Sequence, residues 1–288
     1  MTALHNARVT VVGLGLMGGS LAGALKTGGA CSEVLGVARR PDTAALAMDR
    51  GWVDGASTNL GKGVAAADVV VLATPVRTII ELLPLVGRLA PPGSLIMDLG
   101  STKRAIVQAM SLLPEHVQPL GGHPMCGKET SGLAAAEPGL YQGQVFVLTP
   151  LQRTDPASLA LARELVGAIG AWPLELPAER HDRLVAAVSH LPYLLACGLV
   201  RAVQEVAQSD EAVWQVAASG FRDTTRLAAT DVSIMLDILL TNREPVLDML
   251  NALGAQLSDL TRLIQSDDAE RLEILLDAIR LQRKALFV

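Results

Sequence analysis

The chain has 288 residues, half of them hydrophobic and only 3% aromatic, with a formal net charge of −5. That length can bury the core of one large or two medium domains, and the acidic balance argues against nucleic acid as a main partner. Three scattered cysteines, Cys31, Cys126 and Cys197, have neither metal nor disulfide spacing and fit a reducing cytoplasm.

In chain order, the opening "MTALHNARVTVVGLG" lacks the basic start and long apolar run of a signal peptide. "RVTVVGLG" (8–15) predicts a buried strand ending in glycines, and "SLAGALKTG" a helix after it. "EVLGVARR" (33–40), "DVVVLATPV" (68–76), "SLIMDLGS" (94–101), "VQPLGGHP" (117–124) and "QVFVLTP" (144–150) predict five more strands, with "AWPLEL" (171–176) an outer one. "VRTIIELLPLVGRL" predicts a helix among them. Apolar strands separated by helices predict a parallel sheet covered on both faces.

After Pro177 the period changes. "VLDMLNALGAQLSDLTRLIQ" and "AERLEILLDAIRLQRKAL" repeat apolar residues three and four apart, the spacing of an amphipathic helix. Pro177 and Pro192 are expected to break the pattern, and Pro245 to sit in a helix's first turn. "LVAAVSHLPYLLACGLV" (184–200) is interrupted by Ser189, His190 and Pro192. It falls short of the roughly 20 residues that span a bilayer, so it reads as a buried helix and no membrane partner is expected. The expected fold class is an α/β, Rossmann-like dinucleotide-binding domain over 1–176 and an all-helical domain over 177–288. The helical half is too apolar to stand alone, and its exposed faces are expected to meet across a homodimer. With the sequence ending at Val288, no further ligand-sensing domain is expected.

"GLGLMG" (13–18) matches G-x-G-x-x-G between a strand and a helix, the context that a dinucleotide fingerprint requires. Gly13 permits the tight turn, Gly15 lets the pyrophosphate approach the backbone, and Gly18 lets helix and strand pack closely. Leu14, Leu16 and Met17 complete the cradle, with the helix N-terminus toward the phosphates. The second strand ends in "GVARRPD", with no carboxylate where one would bind the ribose 2′-hydroxyl of NAD. Arg39 and Arg40 suit a 2′-phosphate, which favours NADP and leaves NAD use open. Thr74 and Pro75, in "LATP", close a strand whose end borders the crevice on the nicotinamide side.

"GGHPMCGKETSG" (121–132) sets His123 between glycines and a proline, a poor helix and a poor strand. The expectation is a tight loop that holds one imidazole in one place. "DLGSTK" (98–103) puts Ser101 at another strand end, where it could also cap a helix. "SHLP" (189–192) carries His190, and "SGFRDTTR" (219–226) carries Arg222 and Arg226 on one helix side. Each has a bland reading: a satisfied core histidine, or solvated arginines salt-bridged to Asp223 or Asp231. Together they make a hydroxyl-binding pair and a carboxylate-binding group beside a hydride acceptor.

"GLGLMGGSLA", "DLGSTK", "GGHPMCGKETSG", "SHLPYLLA" and "SGFRDTTR", in this order, resemble the prephenate/arogenate (cyclohexadienyl) dehydrogenase family of tyrosine biosynthesis. The resemblance covers nearly the whole chain. It departs at Cys126, where many relatives carry alanine and where a reactive thiol would stand near the site. It implies oxidative decarboxylation of prephenate to 4-hydroxyphenylpyruvate, or of arogenate to tyrosine, with the hydride passing to NAD(P)⁺. By resemblance His123 accepts a hydrogen bond or proton from the C4 hydroxyl and Ser101 orients both. Arg226 then binds a substrate carboxylate, with Arg222 and His190 in support. An anionic partner for arogenate's ammonium could come from Asp223 or Asp231. The competing readings are another β-hydroxyacid dehydrogenase or imine reductase, and a non-catalytic NADP-binding sensor.

Overall fold

A computed structural model describes residues 3–128 and 130–286. Glu129, within the glycine–histidine motif, and Val288, the last residue, lie outside the described residues.

Eight strands form one sheet in the order β3-β2-β1-β4-β5-β6-β7-β8. They are β1 (Arg8–Val12), β2 (Glu33–Val37), β3 (Gly55–Ser57), β4 (Val69–Leu72), β5 (Leu95–Asp98), β6 (Gln118–Pro124), β7 (Val145–Pro150) and β8 (Trp172–Glu175). Helices α1 (Leu16–Thr27), α2 (Pro41–Asp49), α3 (Leu60–Val64), α4 (Val76–Leu89), α5 (Arg104–Met110) and α6 (Pro156–Ala168) alternate with them. Two apolar clusters make the core: Val9, Val11, Val69, Val71, Leu95 and Met97 pack in one, and Val12, Val70, Leu72 and Ile96 in the other. That alternation follows from the strand period of two, with both sheet faces covered.

The sheet departs from the sequence reading in two places. β3 is unpredicted, because Gly55–Ser57 has no apolar run; it is held by pairing with β2, Leu35 opposite Gly55. β7 runs antiparallel to β6, with His123 opposite Val147, so the sheet is mixed rather than parallel. Among the described residues only two short 3₁₀ turns separate β6 from β7, and a parallel return needs a crossover helix.

After β8 every regular element is helical. These are α7 (Ala178–Val185), a π-helical turn (Ala186–His190), α8 (Leu191–Ala207), α9 (Ser219–Thr225), α10 (Val232–Thr241), α11 (Arg243–Gln265) and α12 (Ala269–Leu286). Pro177 caps α7, and Pro245 lies in the first turn of α11, both as expected. Pro192 does not break the helix. It falls just after the π turn, whose wider winding accommodates the missing N–H.

Helix therefore runs unbroken over Ala178–Ala207, 30 residues, which by length and composition could cross a bilayer. This corrects the shorter run inferred from the sequence. Nor is 184–200 buried throughout: Val185, Ala186, His190 and Ala196 are, while Val188 is 70% exposed. By its contacts the chain divides into one compact unit through Asn242 and a second from Arg243. In the second, Leu257 and Ile264 of α11 and Ile274, Ile279 and Leu281 of α12 are exposed apolar side chains. The exposed apolar residues of both units are those expected of a helical region that associates with another surface.

Candidate active site

The fingerprint turn sits between β1 and α1. Gly13 has φ +100°, and a Cβ there would stand 2.7 Å from Ala73 O, so both conformation and space require glycine. A Cβ on Gly18 would overlap Gly13 O and lie 2.8 Å from the Ala73 Cβ. Gly15 faces open space. Gly18→Ala is therefore expected to weaken dinucleotide binding at least tenfold and to cost about 1–3 kcal/mol of stability. Titration of NADP⁺ by calorimetry checks the first; an unchanged dissociation constant would remove Gly18 from the cradle.

Three helices begin at the crevice, and their N-termini are treated differently. Asp182, from α7, caps α5 by accepting from Lys103 N–H (2.7 Å) and Arg104 N–H (2.9 Å). Asp237, from α10, caps α4 by accepting from Arg77 N–H (3.2 Å) and the Arg77 guanidinium. The first turn of α1, with Gly15 as its N-cap, has no side-chain cap. An uncapped N-terminus beside an open glycine fits a pyrophosphate. Thr74 Oγ1, buried without a hydrogen-bond partner among the described residues, supplies a waiting polar group at the next strand end. The residues present thus fit a dinucleotide.

A cavity of about 330 Å³ joins this cradle to the histidine. Gly15, Leu16, Met17, Thr74, Pro75, Ser101 and His123 all line it. Leu14 does not; its side chain is buried in the core. Arg39 and Arg40 stand exposed beyond β2, outside the cavity lining. The Arg40 guanidinium is engaged by Asp42 (Nε–Oδ1 3.0 Å), which leaves Arg39 the more available of the two.

His123 is not on a tight loop. It is the penultimate residue of β6, and the glycines serve close packing rather than turning. A Cβ on Gly122 would lie 2.5 Å from Asp98 O and 3.0 Å from Phe146. The imidazole is partly buried, and its Nδ1 lies 2.8 Å from His181 Nε2. His181 Nδ1 lies 2.8 Å from Asp182 Oδ1. Burial, then the neighbouring His181, Lys103 and His190, hold His123 well below the ordinary histidine pKa, so it is neutral at pH 7. Beneath it, Lys103 and Asp98 form a fully buried ion pair. The Lys103 ammonium also donates to Gly122 O (2.6 Å).

The other predicted site residues are placed apart. His190 is buried and does not line the cavity; its Nδ1 faces Asn242 Nδ2 (3.2 Å), and burial brings its pKa down to about 4. Arg222 is exposed on α9 and pairs with Asp223 (3.2 Å). Arg226 is exposed at the start of a 3₁₀ turn that leads directly to Thr230, a lining residue. Ser101 does not cap α5, since Asp182 does. Asp231 caps α10 through Ser233 N–H and Ile234 N–H, so neither it nor Asp223 reaches the cavity. Cys126 lines the cavity, but burial pushes its thiol up to about 11 and keeps it protonated, against the expectation of a reactive thiol.

The sequence reading missed His181, Asp182, Asn242 and the Asp98–Lys103 pair. Asp98 and Lys103 lay inside the quoted "DLGSTK", five residues apart, an ionic pair flanking an apolar-strand end. His181 and Asp182 gave no periodic signal.

The nucleotide-binding domain of prephenate dehydrogenase matches residues 21–173, and the dimerization domain of prephenate dehydrogenase matches residues 177–278. Prephenate dehydrogenase of Bacillus subtilis is 34% identical over 92% of this chain and 72% of its own length. The crystal structure of prephenate dehydrogenase from A. aeolicus, in complex with hydroxyphenyl propionate and NAD⁺, superposes with a TM-score of 0.92. It is 29% identical, covering 99% of this chain and 100% of that one. Synechocystis arogenate dehydrogenase follows at 0.85 and 31% identity, covering 97% and 99%. The chain belongs to the prephenate dehydrogenase family.

Proposed function

We propose that this oxidoreductase converts prephenate to 4-hydroxyphenylpyruvate, removing hydride and CO₂ from the cyclohexadienol ring, in tyrosine biosynthesis. The observation that carries the reading is one cavity lined by both the dinucleotide cradle and His123 with Ser101. When bound, the nicotinamide would supply the hydride acceptor. Gly13, Gly15, Leu16, Met17, Gly18, Thr74 and Pro75 would hold the dinucleotide, with Arg39 at its 2′-phosphate. As the C4 hydroxyl becomes a carbonyl, its proton leaves oxygen for neutral His123, a general base held ready by burial. Ser101, which also lines the cavity, orients that hydroxyl. Loss of CO₂ from C1 leaves an aromatic ring, which makes the step effectively irreversible.

For the substrate carboxylates we propose Arg226, four residues ahead of the lining Thr230, with Arg222 one turn before it. His190 acts in this reading from behind, through Asn242 and the main chain of Asp182. Arogenate is the alternative substrate. Among the described lining residues the one carboxylate is Asp237, already paired with Arg77, which favours the keto acid over an ammonium. The domain boundary at 176/177 is retained, Pro177 being the N-cap of α7. We further infer a homodimer formed through the helical region, supported by the dimerization-domain match and the exposed apolar helices. The free cysteines support a cytoplasmic setting.

The test is a grid of initial rates, prephenate and arogenate against NAD⁺ and NADP⁺. Turnover is expected with prephenate, fastest with NADP⁺. Arg39→Ala is expected to raise the KM for NADP⁺ about tenfold and leave NAD⁺ unaffected. Silence in every cell, with nucleotide still bound, would discard the reading in favour of a nucleotide sensor.

A further inference from the structure

Asp182 is saturated with donors. Its carboxylate takes the N–H groups of Lys103 and Arg104 at the start of α5, and only a donor can approach it from a third side. His181 Nδ1, 2.8 Å from Oδ1, must therefore carry hydrogen. When that is the ring's one N–H, His181 Nε2 is a bare acceptor. That acceptor lies 2.8 Å from His123 Nδ1, which must then be the donor. One hydrogen-bonding direction, set by a helix N-terminus, thus propagates through two rings.

We propose that His181 and Asp182 are positioning residues for the reaction, locking His123 in the Nδ1–H tautomer so that its Nε2 lone pair faces the cavity. Neutral imidazole in water favours hydrogen on Nε2, so this tautomer has to be selected by the protein. The wrong tautomer would present an N–H to the substrate hydroxyl and could take no proton from it. His181 and Asp182 are both fully buried, so water does not compete for these bonds. When the hydroxyl O–H bond breaks and the Nε2–H bond forms, His123 becomes an imidazolium. Its Nδ1–H bond to His181 then becomes charge-assisted and stronger, with the Asp182 carboxylate next in line. No further proton need move. The pair favours the transition state over the ground state, and its effect falls on kcat.

This inference rests on the reading of His123 as the hydroxyl's acceptor, and the tautomer can be read without turnover. The experiment is ¹⁵N spectroscopy of histidine-labelled protein at neutral pH, joined to kinetics of His181→Leu and His181→Gln. In the wild type, His123 and His181 are expected to show hydrogen on Nδ1. In His181→Leu, His123 is expected to move to Nε2–H, with kcat down about 10²-fold and KM within twofold. Glutamine, whose side-chain oxygen can accept near the Nε2 position, is expected to restore the Nδ1–H signal and most of kcat. Hydrogen on His123 Nε2 in the wild type overturns the proposal, as does a loss in His181→Leu carried by KM alone. If His181→Leu fails to fold, the wild-type spectrum and His181→Gln still decide it. A confirmed tautomer together with an active His123→Asn enzyme would instead sink the reading of His123 and leave the tautomer standing.

Discussion

Replacing His123 by asparagine is expected to lower kcat about 10³-fold, with KM and thermal stability close to wild type. Asparagine places its amide nitrogen near the position of imidazole Nδ1. It can still donate to His181 Nε2, 2.8 Å away, so the polar network keeps its partner. What vanishes is the second ring nitrogen, the only part of His123 that can take the hydroxyl proton. Steady-state kinetics on folded protein checks this, and a residual kcat within tenfold of wild type would refute the assignment. The same residue fixes the acid limb. On the proposed reading the active form is the neutral one, and burial, with the Lys103 ammonium and the neighbouring His181 and His190 rings, holds the His123 pKa well below 6.5. Because protonation of a depressed group comes later as pH falls, kcat/KM should stay level from pH 8 to about 6.5 and drop only below. An acid limb centred at or above 6.5 would contradict that environment.

Lys103→Met is expected to destabilise the protein by about 3–5 kcal/mol, a large share of the 5–15 kcal/mol typical of a folded domain. Lys103 and Asp98 are both completely buried and in direct contact. Removing the ammonium leaves the Asp98 carboxylate with only the N–H groups of Gly100 (2.7 Å) and Gly122 (3.0 Å). Those two bonds do not offset the desolvation of an unpaired charge. Methionine keeps the volume of the stem, so the effect reads the charge rather than a void. Denaturant unfolding at fixed protein concentration measures it, and a loss under about 1 kcal/mol would show the pair to be dispensable. The double variant Lys103→Met with Asp98→Asn is expected to recover part of the loss, since no buried charge remains. Activity should fall along with stability in the single variant, because Lys103 also holds Gly122 O, the carbonyl next to His123.

Most of the α/β region was legible because its constraints are local. A short valine-rich strand followed by a glycine that adopts φ +100° can be read from "RVTVVGLG" alone. Helix α4 was found at its bounds because its apolar stripe repeats at the helical period over fourteen residues. The short strand β3 was not, because its three residues carry no pattern and exist only through the neighbour that pairs with them. The strand that carries His123 was legible over 117–124, but the glycines in "GGHP" looked like turn formers, whereas the folded chain needs them small so that Asp98 O and Phe146 can approach.

The sequence by itself determined the dinucleotide turn, the change from strands to helices at Pro177, and a histidine at a strand end that lines the cavity, since each depends on neighbours a few residues away. Tertiary structure decided which groups meet that histidine. His181 reaches it across 58 positions of chain, with Asp182 behind His181, and Lys103 reaches Gly122 across 19. Hydrogen-bond direction at His123 is set by the N-terminus of α5, an element with no sequence relation to "GGHP". A linear pattern records what a residue needs from its own turn of chain. The partner that gives a titratable group its tautomer and its pKa is chosen only when the helices close over the sheet.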